Sequence, residues 1–202
     1  MGFGTSDISA AIARAKARMA TLEQDLNAAD SHLGDGDTGG MLARVIDRLS
    51  EENLNGTEDV GAAFSALARA AVSATGSSLG TLLATALMTM SKATRGRADV
   101  PWSELGDLLA GARDAMLARG GAKLGDKTVI DALDAVANAT RGVEDGTALA
   151  RAASVSAADV LARFRDEPCR MGRARMFGDK SRGMDDPGML ALVRLTDAIA
   201  GF

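Results

Sequence analysis

From Ile8 to Ile199 apolar residues recur at intervals of three and four, and glycine-rich turns cut the pattern into short lengths. That period places the apolar residues on one face, so each length reads as a helix with one face to bury. Ile8, Ala11, Ile12, Ala15, Met19, Leu22 and Leu26 define the first helix, capped by Ser6 or Asp7 and ending near Asp30. Met41, Leu42, Val45, Ile46 and Leu49 mark the second, and a third runs from about Glu58 to Thr75. Leu82, Leu83, Ala86, Leu87 and Met90 form a fourth, which reads as buried. The fifth spans Trp102 to Arg119, the sixth carries Val129, Ile130, Leu133 and Val136, and the seventh covers roughly Gly146 to Arg165. A polar loop, Glu167 to Asp185, precedes an eighth helix opened by Pro187 in its first turn. No segment reads as a strand. With aromatic residues at 3% and no Tyr, helices are favoured over sheet. Short loops make sequential helices antiparallel neighbours, so the expected fold is all-α: an eight-helix up-and-down barrel or bundle forming one domain over residues 1–202.

A net charge of −4 argues against a general nucleic-acid surface, because phosphate backbones are held by clustered Lys and Arg. Cys169, the single cysteine, excludes an intramolecular disulfide and fits a reducing compartment. The first residues lack the basic and apolar segments of a secretory signal, and no apolar run is long enough to cross a bilayer. The expectation is a cytoplasmic protein without a membrane or nucleic-acid partner.

Three carboxylates and four glycines lie within Asp30-Ser31-His32-Leu33-Gly34-Asp35-Gly36-Asp37-Thr38-Gly39-Gly40. Asp30, Asp35 and Asp37 can converge only if the backbone turns sharply, and crowded carboxylates are stabilised by a hard divalent cation with oxygen ligands. An EF-hand is excluded, since counting from Asp35 places Gly39 fifth and Ile46 twelfth, where acidic ligands belong. Gly34, Gly36 and Gly39 match a dinucleotide fingerprint literally, but a helix precedes them where that motif needs a strand. The remaining alternative is a solvated interhelical turn whose carboxylates cap the next helix, as Asp37 could.

An antiparallel ring gathers alternate loops at one end. The Asp30–Gly40 turn, the Gly76–Gly80 turn, the Gly120–Thr128 turn and the Glu167–Pro187 loop therefore share an end. Free amides at helix N-termini attract phosphate, the small Ser77 and Ser78 allow its approach, and Arg173 or Arg175 can balance its charge. Lys127 is either a phosphate contact or a solvated lysine near a helix start, for Gly125-Asp126-Lys127-Thr128 departs from a P-loop by one residue. His32 reads as a turn residue and Cys169 as neither ligand nor nucleophile.

Four segments together resemble the nucleotide-binding L subunit of dihydroxyacetone kinase, the DhaL family. They are Asp30 with Gly34-Asp35-Gly36-Asp37-x-Gly39, Gly76-Ser77-Ser78-x-Gly80-Thr81-Leu82, Gly121-Ala122-Lys123-x-Gly125-Asp126-Lys127-Thr128-x-x-Asp131-Ala132-Leu133, and Gly172-Arg173-Ala174 through Asp186-Pro187-Gly188. The resemblance implies an eight-helix barrel with ADP or ATP at one end, held through Mg²⁺, as two ions, on Asp30, Asp35 and Asp37. It implies nucleotide contacts from Thr38, Gly39, Gly40, Met41, Ser77, Ser78, Gly121, Thr128, Arg173, Asp186, Pro187 and Gly188. The catalytic set would be Asp30, Asp35, Asp37 and Arg173. A separate K subunit would carry a covalently bound ketose and receive the γ-phosphoryl group. A phosphotransferase-system protein would be an alternative donor that recharges bound ADP. The oligomeric state stays open, a homodimer included. Many relatives have His after G-D-G-D and Asn-Met a little later, whereas this chain has Thr38 and Gly40-Met41-Leu42. A relative acting on another small ketose, such as a four-carbon sugar, fits that difference. The competing expectation is a nucleotide-sensing regulatory module without transfer activity.

Overall fold

The computed structural model describes residues 1–201 and, of Asn55, only the backbone; Phe202, the last residue of the expected domain, lies outside them. Among the described residues the eight expected helices are present. They are α1 (Thr5–Leu33), α2 (Thr38–Ser50), α3 (Val60–Ala74), α4 (Ser78–Ala93), α5 (Leu105–Gly120), α6 (Val129–Thr140), α7 (Gly146–Phe164) and α8 (Pro187–Ala200). Each packs on the next in order, and α8 returns to α1, which closes the ring. The fold is the expected all-α barrel.

Its core is built from the periodic apolar positions. Leu26, Val45, Val60, Ala63, Ala71, Ala112, Ala132, Ala157 and Met189 are fully enclosed. Alanine at so many facing positions lets helix axes approach closely, so truncating one of the few large side chains, as in Leu26→Ala, costs about 2–5 kcal/mol. Side-chain caps fix several helix starts: Asp59 accepts from the Gly61 and Ala62 amides, Asp145 from Ala148, and Asp186 from Met189.

The fold departs from the sequence expectation in four places. Helix α1 runs past Asp30 to Leu33, so the first turn is only residues 34–37 and Asp30 sits on a rigid helix. A two-residue strand β1 (Gly2–Phe3) pairs antiparallel with β2 (Val100–Pro101), registering Gly2 with Pro101 and Phe3 with Val100. Phe3 seals this tie against Trp102, ring centroids 5.1 Å apart. Helix α4 is half-buried along most of its length: it packs between α3 and α5, and Leu79 and Leu82 border an open cavity. The polar loop contains a kinked 3₁₀ segment, Ala174–Ser181, with Ala174 and Ser181 buried. No described helix is long and apolar enough to cross a membrane.

Candidate nucleotide and metal site

The loops after α1, α3, α5 and α7 border one cavity of about 850 Å³ at a single end of the barrel. That volume suits a nucleotide-sized ligand. Asp30, Asp35, Asp37, Thr38 and Met41 line one side, Ser77 and Ser78 a second, Thr128 a third, and Arg173, Asp186, Pro187 and Gly188 close it.

Ligand oxygens of Asp30, Asp35 and Asp37 lie within 4.8 Å of one another, Asp30 buried and the other two exposed. The reason is local. Asp30 turns one oxygen, Oδ2, toward the start of α2 and accepts the Asp37 and Thr38 N–H groups at 3.0 and 3.1 Å. One turn earlier on α1, Asn27 Oδ1 accepts from Gly39 and Gly40 at 2.8 and 3.1 Å. Helix α2 is thus capped from α1. Asp37 occupies the N-cap position without a side-chain cap bond, so the carboxylate that caps α2 is Asp30 and that of Asp37 is free to bind a cation. Gly34 has no side chain because a Cβ there would collide with Asp30 Oδ1. Gly36 takes φ +76°, where L side chains are strained. Arg173 ion-pairs with Asp35, setting a positive charge against the same cluster. Of the three clustered carboxylates Asp37 has no protein donor, Asp35 meets Arg173 through one oxygen and Asp30 accepts two amides on Oδ2, so the cluster keeps oxygens for a hard, oxygen-ligated ion such as Mg²⁺.

Helix N-termini around the cavity are unequal. The α2 amides are consumed by Asn27 and Asp30, which removes Gly39 and Gly40 as phosphate donors through their N–H groups. Neither glycine lines the cavity, and a Cβ on Gly39 would strike the Glu23 carbonyl, so its work is close helix packing. Gly121 also lies off the lining and ends α5 in the left-handed conformation at φ +69°. At α6, Thr128 and Asp131 form a capping box. Helix α4 is the more open terminus: Ser77 Oγ takes the Gly80 amide, while the Ser78 and Leu79 N–H groups find no protein acceptor among the described residues. They point to α4 as the phosphate-facing helix start.

Asp186 caps α8 at the cavity's edge. Burial pushes its carboxyl up to about 6, against the pull of the Met189 and Gly188 amides and of Lys127, with Asp131 adding to the rise. Lys127 itself follows neither sequence alternative. It is 1% exposed, and its ammonium faces backbone carbonyls rather than solvent or the cavity. Cys169 is buried, and burial raises its thiol, so it is not a ready thiolate. His32 is exposed in the last turn of α1, off the cavity lining.

Sequence reasoning missed Asn27, Arg119 and the apolar wall of Leu79, Leu82, Ala122, Val129, Ile130 and Met171. That wall can take the flat face of a nucleobase. Its signal was adjacency to the glycine turns, whereas Arg119 at a helix end resembles an ordinary partner of the helix dipole.

A family model described as the DAK2 domain matches residues 32–201. The chain belongs to the DAK2 domain family. Within it the DhaL resemblance holds. The ADP-binding subunit DhaL of the PEP-dependent dihydroxyacetone kinase of Escherichia coli (strain K12) is 25% identical over 192 residues, 89% of this chain and 88% of that protein. L-erythrulose 1-kinase of Mycolicibacterium smegmatis is 39% identical over 97 residues, 46% of this chain but only 17% of that longer protein. The C. freundii dihydroxyacetone kinase, solved in complex with AMP-PNP and Mg²⁺, superposes on all of this chain with a TM-score of 0.75 at 23% identity. This DAK2 chain spans 34% of that structure's chain, so the likeness speaks for the fold alone.

Proposed function

We propose that the chain is the nucleotide-binding subunit of a dihydroxyacetone-type kinase, with residues 1–202 acting as one DhaL-like domain. It would deliver the γ-phosphoryl group of Mg-bound ATP, or of rephosphorylated bound ADP, to a small ketose held by a separate K subunit. The observation that carries this reading is the convergence of four loops on one cavity, with a carboxylate cluster at one wall and an open helix N-terminus at another.

Phosphoryl transfer asks a protein chiefly for positioning and charge stabilisation. Bound Mg²⁺ would supply the charge that draws phosphate oxygens and carboxylates together. The chain's own residues do the rest. Asp30, fixed on α1 and braced by two amides, sets the position of the cluster, while Asp35 and Asp37 offer unengaged oxygens. The Ser78 and Leu79 amides face the phosphates. Arg173 is within reach of charge that develops between donor and acceptor, and the apolar wall keeps water from the base.

A four-carbon ketose is a supported acceptor alongside dihydroxyacetone, because two relatives are named as L-erythrulose kinases. Rephosphorylation of bound ADP draws support from two relatives named as PEP-dependent ADP-binding subunits. Radiolabelled ATP incubated with this chain, a K subunit and either dihydroxyacetone or erythrulose should yield labelled ketose phosphate. Nucleotide binding without transfer across matched K subunits would overturn the kinase reading in favour of a regulatory module.

A further inference from the structure

The α5–α6 turn and the strap of residues 165–185 meet around one buried ammonium. Lys127 Nζ donates to the carbonyl oxygens of Arg165 at 3.0 Å, Glu167 at 2.7 Å and Ser181 at 3.1 Å. Those carbonyls come from both ends of the strap, which the Gly183 amide to the Arg165 carbonyl and the Arg165–Asp185 pair also bring together, and Lys127 ties the joined ends to the α5–α6 turn. Lys127 holds φ +61°, a left-handed backbone in a residue that is not glycine. Such a conformation persists in a non-glycine residue where surrounding contacts over-determine it. An ammonium has three donors and no acceptor, which matches three carbonyls and nothing else.

The strap needs this anchor because little of it is apolar core. Leu33, Cys169 and Ala174 form one small buried cluster, and most of the remaining strap is exposed. Yet the strap delivers Arg173 to Asp35 and lines the cavity with Met171 and Arg175. The Arg170 amide bonds the Asp126 carbonyl beside Lys127, and Ser181 Oγ takes the Cys169 amide, so the fixed points cluster around the lysine.

We propose that Lys127 is a positioning residue: it clamps residues 165–185 to the α5–α6 turn and thereby holds Arg173 and its neighbours over the nucleotide. The inference rests on the nucleotide-site reading above, and it adds a residue that contacts the strap and not the nucleotide.

The test uses the full chain with Lys127→Met, which keeps the methylene stem and loses every donor, beside Leu26→Ala as a core-destabilised control in the main core cluster, outside the Leu33, Cys169 and Ala174 cluster under the strap. Trypsin reports the strap directly, since Arg170, Arg173, Arg175, Lys180 and Arg182 are exposed cleavage points. Without nucleotide, Lys127→Met should be cut within the strap about tenfold faster than the parent, while Leu26→Ala at the same low temperature is not. Mg·ADP affinity by calorimetry should fall about tenfold in Lys127→Met and stay within about twofold in Leu26→Ala. Strap cleavage no faster than in the control, or an affinity within twofold of the parent, overturns the clamp. If Lys127→Met loses helicity, Lys127→Gln, which retains two N–H donors, is read in the same assays and should fall between parent and Met behaviour. Parent-like behaviour of Lys127→Gln in both assays would then overturn the clamp. A parent that binds no Mg·ADP would instead sink the nucleotide reading and leave the cleavage comparison standing.

Discussion

Two glycine-rich turns border the same cavity and dispose of their charges in opposite ways. In the α1–α2 turn the amides that open α2 are satisfied from α1 by Asn27 and Asp30, and Asp35 and Asp37 are left exposed beside each other. In the α5–α6 turn the charges face inward. Asp131 is buried and accepts from the Gly125 and Thr128 amides, and Lys127 is buried on three carbonyls. The first turn spends Asp30 on the α2 amides, pairs Asp35 with Arg173 and leaves Asp37 without a protein partner, whereas the second spends Asp131 and Lys127 on the backbone. Similar-looking G-D motifs therefore do different work, and what separates them is that Asp35 and Asp37 stand exposed at the cavity while Asp131 and Lys127 are buried on backbone groups.

This contrast breaks down into measurable differences. The largest effect is expected from Asp37→Ala, which should weaken Mg·ADP binding on the order of 100-fold while changing stability by less than about 0.5 kcal/mol, since no protein group depends on that exposed carboxylate. Isothermal calorimetry and chemical denaturation read the two halves. Asp131→Ala should do the reverse. It orphans the Gly125 and Thr128 amides, which costs about 2–4 kcal/mol in urea denaturation, and leaves Mn²⁺ binding at the carboxylate cluster nearly intact.

Asn27→Ala should sit between the two. Losing one acceptor for two α2 amides costs about 1–2 kcal/mol, and because α2 carries Asp37, metal affinity should also drop several-fold. Stability loss with no change in Mn²⁺ affinity would show that Asn27 braces the barrel without aiming the ligands.

The smallest effect concerns Asp186. Its folded carboxyl, near 6, lies above an ordinary 3.8, so the folded state holds the proton more tightly than the unfolded chain. Its contribution is then most favourable at low pH and is lost as pH rises from about 4 to about 6. Asp186→Asn keeps an acceptor for the Met189 amide but does not titrate. The full shift corresponds to about 3 kcal/mol, which solvent at the cavity edge, where Asp186 is only half-buried, screens to about 1–2 kcal/mol; the variant's stability relative to the parent should climb by that amount through the window and level off above it, as read by melting curves across pH.

The helices were legible because their signal is repeated: each burial face is written several times over, and the glycine turns punctuate it. The β1–β2 pair was not, since two residues cannot display an alternation and Gly2–Phe3 pairs only because the Val100–Pro101 segment lies beside it. The carboxylate cluster was legible from Asp35 and Asp37 flanking Gly36, and Asp30 from its helical register. Asn27 was silent: a helix-interior asparagine shows its role only once α2 has folded back onto it. Lys127 was misread in both alternatives because a lysine in a polar turn is ordinarily solvated, and its three acceptors lie 38 to 54 residues away in sequence. Gly39, Gly40 and Gly121 were singled out by motif and all lie outside the cavity lining, Gly39 serving close helix packing and Gly121 chain reversal.

The central claim is that the clustered aspartates bind nucleotide through a divalent ion. Calorimetric titration of ADP into the parent and Asp37→Ala, each with and without Mg²⁺, tests it most directly. Tight binding is expected only for the parent with Mg²⁺, the other three combinations being weaker on the order of 100-fold. Equal ADP affinity in parent and Asp37→Ala with Mg²⁺ present would contradict it.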